Sequence, residues 1–129
     1  RDVPTTVAVP ADVPKRMRLS SDGQRLLIVG FDGVAQLRDV STGNVIGPAF
    51  QPIGELREQS RDGRYVLFGS FTSLRLWDAT LGRPCSDPFP QETLNSVCAF
   101  SPDGTMLVTE KEGRLRIVRR DVLDPKQGQ

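Results

Sequence analysis

Apolar and polar positions alternate in short runs along this chain, and the runs come in a fixed order. A β-rich run such as Arg25–Gly30 (RLLIVG) ends in a polar turn. A second run, 34–39 (VAQLRD), then alternates apolar with polar. Period-two alternation buries one face of a strand and leaves the other wet, so each run predicts a half-buried β-strand. The same succession recurs as RYVLFGS then LRLWD, and as TMLVTE then RLRIVR. No stretch carries the 3.6-residue spacing of an amphipathic helix.

The turns set the beat. SSDG, SRDG and SPDG place Gly23, Gly63 and Gly104 at spacings of 40 and 41 residues. Asp-Gly between apolar runs is a tight-turn signal, because glycine accepts positive φ and aspartate bonds nearby backbone amides. A second anchor keeps step: LRDVSTG at Asp39 and LWDATLG at Asp78, with Arg119 in the acidic position of the third unit. Shorter turns fall at 31–33 (FDG), 70–73 (SFTS) and 111–113 (KEG). After STG and TLG come NVIGPAF and PCSDPF, whose prolines suit an edge strand because proline has no amide to donate. Four short strands per period of about 40 residues is the signature of a propeller blade. Three hairpins in a sandwich would not need such a regular repeat.

The expected organisation is therefore all-β: an outer strand at 4–10, then blades at about 15–50, 55–90 and 94–120, and a flexible tail at 123–129. The stretch PTTVAVPADV aligns with NVIGPAFQPI one period later, and RDV occurs at 1–3, 38–40 and 120–122. The strand missing from the last blade is the one the N-terminal stretch offers. In the inner strands Met17 and Leu19 align with Cys98 and Phe100, but blade two has Arg57 and Gln59 there. Either these polar residues face a central channel, or the strand slips by one residue and buries Leu56 instead.

SPDG after VCAF, and LRLWD at 74–78, resemble the two best-known motifs of WD-repeat proteins. GRPCSDPF and GNVIGPAF resemble the stretch that joins successive repeats in bacterial members. The resemblance runs from about residue 4 to residue 122 and implies a β-propeller. The family's network of a histidine with an aspartate, a hydroxyl and the tryptophan is missing, since the chain has no histidine. Trp77 occupies the family's structural position, with Arg38 and Val118 at the equivalent places. The resemblance to bacterial members further implies a signalling partner, often a kinase or an NTPase, and the expected setting is the cytoplasm.

Composition narrows the chemistry. A net charge of +1 from 17 basic and 16 acidic residues gives no field for nucleic acid or an anionic membrane. Apolar runs do not exceed five residues, too few to span a bilayer or to form a signal peptide. The absence of histidine removes the commonest general base and most zinc and haem ligand sets. Cys85 and Cys98 are too few for a tetrahedral zinc site. A disulfide between them is arithmetically possible, but reduced thiols are the expectation.

Asp22, Asp32, Asp39, Asp62, Asp78, Asp103 and Glu112 fall mostly on repeat-equivalent turns, where backbone capping is their expected work. The basic cluster Lys111, Arg114, Arg116, Arg119 and Arg120 alternates with Leu115 and Ile117, as a solvated strand face does. No cofactor, metal or catalytic residue is expected. The sequence reads as a non-catalytic protein-interaction scaffold or sensor, with a rim comprising Phe31, Asp32, Phe71, Thr72, Arg57, Lys111 and Glu112. Phe31 and Phe71 stand beside turns on one rim, either exposed for recognition or tucked between blades. Two rivals remain: a propeller enzyme or accessory domain, lactonase- or peptidase-like, with calcium or substrate at the channel mouth; and a self-assembling structural unit. Three blades leave two open apolar flanks, which further blades of a longer propeller or a second copy would cover. The RDV that opens the chain favours the longer propeller.

Overall fold

A computed structural model describes residues 14–70, 73–86, 89–90, 97–101, 104–111 and 113–119. These residues form three antiparallel sheets and no helix. The expected outer strand at 4–10 and the tail at 123–129 lie outside the described residues.

The first sheet runs β1 (Pro14–Leu19), β2 (Arg25–Gly30), β3 (Ala35–Asp39) and β4 (Val45–Phe50), each strand paired with the next. The second repeats this order with β5 (Glu55–Gln59), β6 (Tyr65–Gly69) and β7 (Ser73–Asp78). Its outer position is shared by two short pieces, β8 (Arg83–Pro84) and β9 (Phe89–Pro90), which both pair with β7. The third consists of β10 (Val97–Phe100), β11 (Met106–Lys111) and β12 (Arg114–Arg119). Prolines stand in β4, β8 and β9, the outermost strands, where a missing amide breaks no ladder.

The sheets stack face on face. Leu27, Ala35, Leu37 and Phe50 of the first pack against Leu56, Val66, Phe68 and Ala79 of the second. The opposite face of the second sheet, with Tyr65, Leu67, Leu74, Leu76 and Cys85, packs against Leu107 and Phe100 of the third. Covered on both sides, β6 is buried along its whole length. Each large apolar side chain so buried contributes roughly 1.5–3 kcal/mol.

The inner strand of the second sheet settles the question left at Arg57. The register slips between Leu56 and Glu58, so Leu56 pairs with Phe68 and is buried in the core. Arg57 is the extra residue of the bulge and is half-buried. The slip follows the apolar side chain: out of register, Leu56 would lose the packing that Arg57 cannot supply.

A further bulge locks the first two sheets together. Between Leu37↔Ile46 and Ala35↔Phe50 the register of β4 shifts around Gly47, whose φ is 74°. A Cβ there would collide with the backbone carbonyl of Thr80 in the turn after β7, and one on Gly82 would meet Pro48 at 2.7 Å.

The flanks differ from the interior. Leu37 and Leu76 lie in equivalent register, opposite Leu27 and Leu67, and both are fully buried. Ile117 is their counterpart in the third sheet, opposite Val108, and it is 52% exposed. On the far side of the first sheet Met17 and Leu19 are 58% and 55% exposed. The alternation of Leu115 and Ile117 with arginine predicted one buried face of β12, but both residues and Arg114, Arg116 and Arg119 are exposed. No further sheet among the described residues covers that face.

Candidate functional site

Among the described residues the aspartates of the repeat are spent on the turns, and Asp103 lies outside the described residues. Ser20 Oγ donates to Asp22 Oδ1 at 2.6 Å and accepts from the Arg25 amide at 3.0 Å. Asp22 Oδ1 also takes the Gln24 amide at 3.0 Å. The second turn repeats each bond: Ser60 Oγ to Asp62 Oδ1, the Arg64 amide to Asp62 Oδ1, and the Tyr65 amide to Ser60 Oγ. In the third, the Met106 amide donates to Ser101 Oγ at 3.0 Å. Gly23, Gly63 and Gly104 close these turns at φ of 74°, 77° and 72°. The serine is the hub, a role that the sequence advertised by placing Ser20, Ser60 and Ser101 at one spacing from each glycine.

The second anchor works alike. Asp39 Oδ1 accepts from Ser41 Oγ at 2.6 Å and from the amides of Ser41 and Thr42. Asp78 Oδ1 accepts from Thr80 Oγ1 at 2.6 Å and its amide, while Oδ2 receives the Arg64 Nε and Nη2 at 3.1 and 3.0 Å. Hydrogen bonds from Ser20 and then the Gln24 amide hold the Asp22 carboxyl below the ordinary range, and Ser41 does the same for Asp39. Where Trp77 stands in the second sheet, the first has buried Arg38, which donates to the Gly43 carbonyl at 2.9 Å.

One rim gathers part of the expected recognition surface. Phe31 is 74% exposed beside the β2–β3 turn, and Asp32 is exposed next to it. Asp32 Oδ1 caps the Val34 amide at 3.0 Å, and its carbonyl accepts Gln51 Nε2 at 3.1 Å. The loop at 51–54 thereby sits between this turn and the next, with Gly54 against the backbone of Gly69 and Ser70. Ile53 at the tip of that loop is 81% exposed. Arg57 lies on β5 rather than on the loop. Phe71, Thr72 and Glu112 lie outside the described residues, as does the side chain of Lys111.

Below the rim, between the 51–54 loop and the second sheet, opens a cleft of about 170 Å³ lined by Gln51, Ile53, Phe68, Ser73, Arg75 and Trp77. Trp77 stacks on Phe50 with ring centres 5.1 Å apart, and the Arg75 guanidinium lies 5.8 Å from the indole. Arg75 Nε donates to the Ser86 carbonyl at 3.0 Å. The indole Nε1 is buried and has no hydrogen-bond partner among the described residues. Ile53 and Arg75 were not singled out from the sequence. An isoleucine in a Pro-Gly loop was the available signal.

At the opposite end, near the serine turns, a second cleft of about 290 Å³ is lined by Ser21, Glu58, Gln59, Arg61, Ala99, Phe100 and Ser101. Its one carboxylate among the described residues, Glu58, lies 3.6 Å from the Arg18 guanidinium. Lys15 and Arg16 meet Glu55 at 3.3 and 3.9 Å, so ion pairs link β1 and β5, the first strands of their sheets. Among the described residues no group of three or more His, Cys, Asp and Glu is arranged to hold a metal ion.

No protein-family model matches the chain, and no curated protein matches it. Among solved structures it is similar to a chain in the crystal structure of a eukaryotic initiation factor, with a TM-score of 0.72 at 12% identity. The match covers 98% of this chain and 33% of that one, so the chain spans a third of its structural neighbour. At that identity the likeness shows a shared path of the backbone and nothing of shared activity.

Proposed function

We propose that the chain is a section of a WD-type β-propeller and serves as a non-catalytic protein-interaction scaffold or sensor within a larger signalling protein of the cytoplasm. The observation that carries this reading is the equivalence of the sheet faces. The face with Leu37 and then Leu76 is sealed by the following sheet, and the same face of the third sheet, with Leu115 at 69% and Ile117 at 52% exposure, is bare. A further sheet of the same kind is the natural cover, and repetition of that contact closes a ring. The rigid stack presents its turns at the rim, where loops vary without disturbing the frame.

The turn geometry supports a structural rather than a catalytic part for the carboxylates. Asp22, Asp39, Asp62 and Asp78 accept hydrogen bonds from their own turns. The rival reading, a propeller enzyme with calcium at a channel mouth, predicts stabilisation by the ion. On the scaffold reading calcium leaves the melting temperature unchanged, and a saturable rise overturns it. The exposed flanks also favour a second reading, closure by copies of the same chain. Light scattering separates the two: a discrete dimer or trimer supports self-assembly, and a heterogeneous aggregate supports cover by further repeats.

A further inference from the structure

We infer that the cleft between the 51–54 loop and the second sheet is a recognition site for an extended acidic peptide segment, which places a carboxylate on Arg75 and an aliphatic side chain against Ile53. The inference rests on the interaction-module reading and names the chemistry of one partner surface.

Three observations converge on this place. The first is an orphan donor. Trp77 Nε1 is buried without an acceptor among the described residues, and a buried N–H left without a partner is costly. An incoming carbonyl or carboxylate oxygen satisfies it. The second is charge. Arg75 spends Nε on the Ser86 carbonyl and holds its guanidinium carbon 5.8 Å from the centre of the indole ring, and no carboxylate among the described residues pairs with it. Its terminal nitrogens retain the fork that grips a carboxylate in two parallel bonds. The third is apolar surface. Ile53 and Phe31, 81% and 74% exposed, stand on the rim that Gln51 ties together.

Size selects the occupant. A volume of about 170 Å³ falls below the roughly 300–1,000 Å³ of small-molecule sites. It suits one or two side chains of a peptide lying across the rim. Tryptophan and arginine in a partly closed pocket are also the residue types that dominate binding energy at protein interfaces.

Trp77 is the only tryptophan of the chain, so its indole reports on this cleft alone. The test titrates the 129-residue chain with the blocked peptide acetyl-Ala-Glu-Leu-Ala-amide, following the single indole N–H resonance and the tryptophan emission. The expected result is a saturable downfield shift of the indole proton. Binding should weaken at least about fivefold when Gln replaces Glu in the peptide, and similarly in Arg75→Gln. Ile53→Ser, at an exposed loop position that the fold does not need, is expected to weaken it too, which keeps the test decisive if Arg75→Gln unfolds. An indole signal that does not move, or equal binding of the Glu and Gln peptides, overturns the proposal. Failure here with calcium-independent melting intact would remove this cleft and leave the scaffold reading standing.

Discussion

At the scale of single residues, the serine of each S-x-D-G turn matters more than the aspartate beside it. Ser60 is 1% exposed, and its Oγ is the acceptor for the buried Tyr65 amide while it donates to Asp62. Ser60→Ala strands a buried N–H and should cost about 1–3 kcal/mol, read as a lower midpoint in urea unfolding. Ser20→Ala removes the same bonds beside half-buried Arg25 and should cost less. It also changes the acid limb. The Asp22 carboxyl is lowered first by Ser20, so it favours the folded state above the ordinary aspartate value of about 3.9. That contribution fades as pH falls through the lowered folded value. Without Ser20 the folded and unfolded values draw together, and melting temperature should fall less steeply as pH drops below the ordinary aspartate value. An unchanged acid slope would show that the hydroxyl does not hold Asp22 down. The sequence announced Asp-Gly plainly. The serine's part was present in the same spacing, but only the closed turn reveals which side chain receives the next strand's amide.

At the scale of elements, alternation made strands legible and packing decided their registers. LRLWD put Arg75 and Trp77 on one face and Leu74 and Leu76 on the other. The structure places Leu74 and Leu76 in the core shared with the third sheet and Arg75 and Trp77 in the cleft toward the first. The bulge at Arg57 was legible as one of two choices, because Leu56 is the only large apolar side chain of β5. The bulge at Gly47 was not legible, since its cause is the turn of another repeat. It explains why two glycines of equal φ should respond differently. At Gly23, with φ of 74°, an added methyl would find no atom within 4 Å, so Gly23→Ala carries backbone strain alone, about 1–2 kcal/mol. Gly47, also at 74°, faces the Thr80 carbonyl where a methyl would sit. Gly47→Ala must part the first sheet from the second and should cost roughly 3 kcal/mol or more. Denaturant unfolding of the two variants side by side checks the difference, and equal losses would mean that the β4 bulge is not a lock.

At the scale of the whole molecule, exposure separates the sealed sheet faces from the open one. Leu37, Leu76 and Ile117 occupy one register position in three successive sheets, yet the first two are fully buried and the third is half bare. The periodicity foretold two open flanks, and it could not say what lies against them, because a repeat written three times specifies the contact and not the number of contacts. The cleft beside Trp77 was hidden for a related reason: it forms where the 51–54 loop lies against β6 and β7, a contact that no local pattern announces. If the bare face is a joining surface, polar substitution there should spare the fold. Leu115→Ser combined with Ile117→Ser should change unfolding free energy by no more than about 0.5–1 kcal/mol, as for surface sites. The same pair should lower the association seen in sedimentation as protein concentration rises. Leu76→Ser at the equivalent sealed position should instead unfold the chain, through a cavity and a buried hydroxyl together worth about 3–5 kcal/mol. Should the double variant destabilise the chain as strongly as Leu76→Ser, the third face is core and not a joining surface.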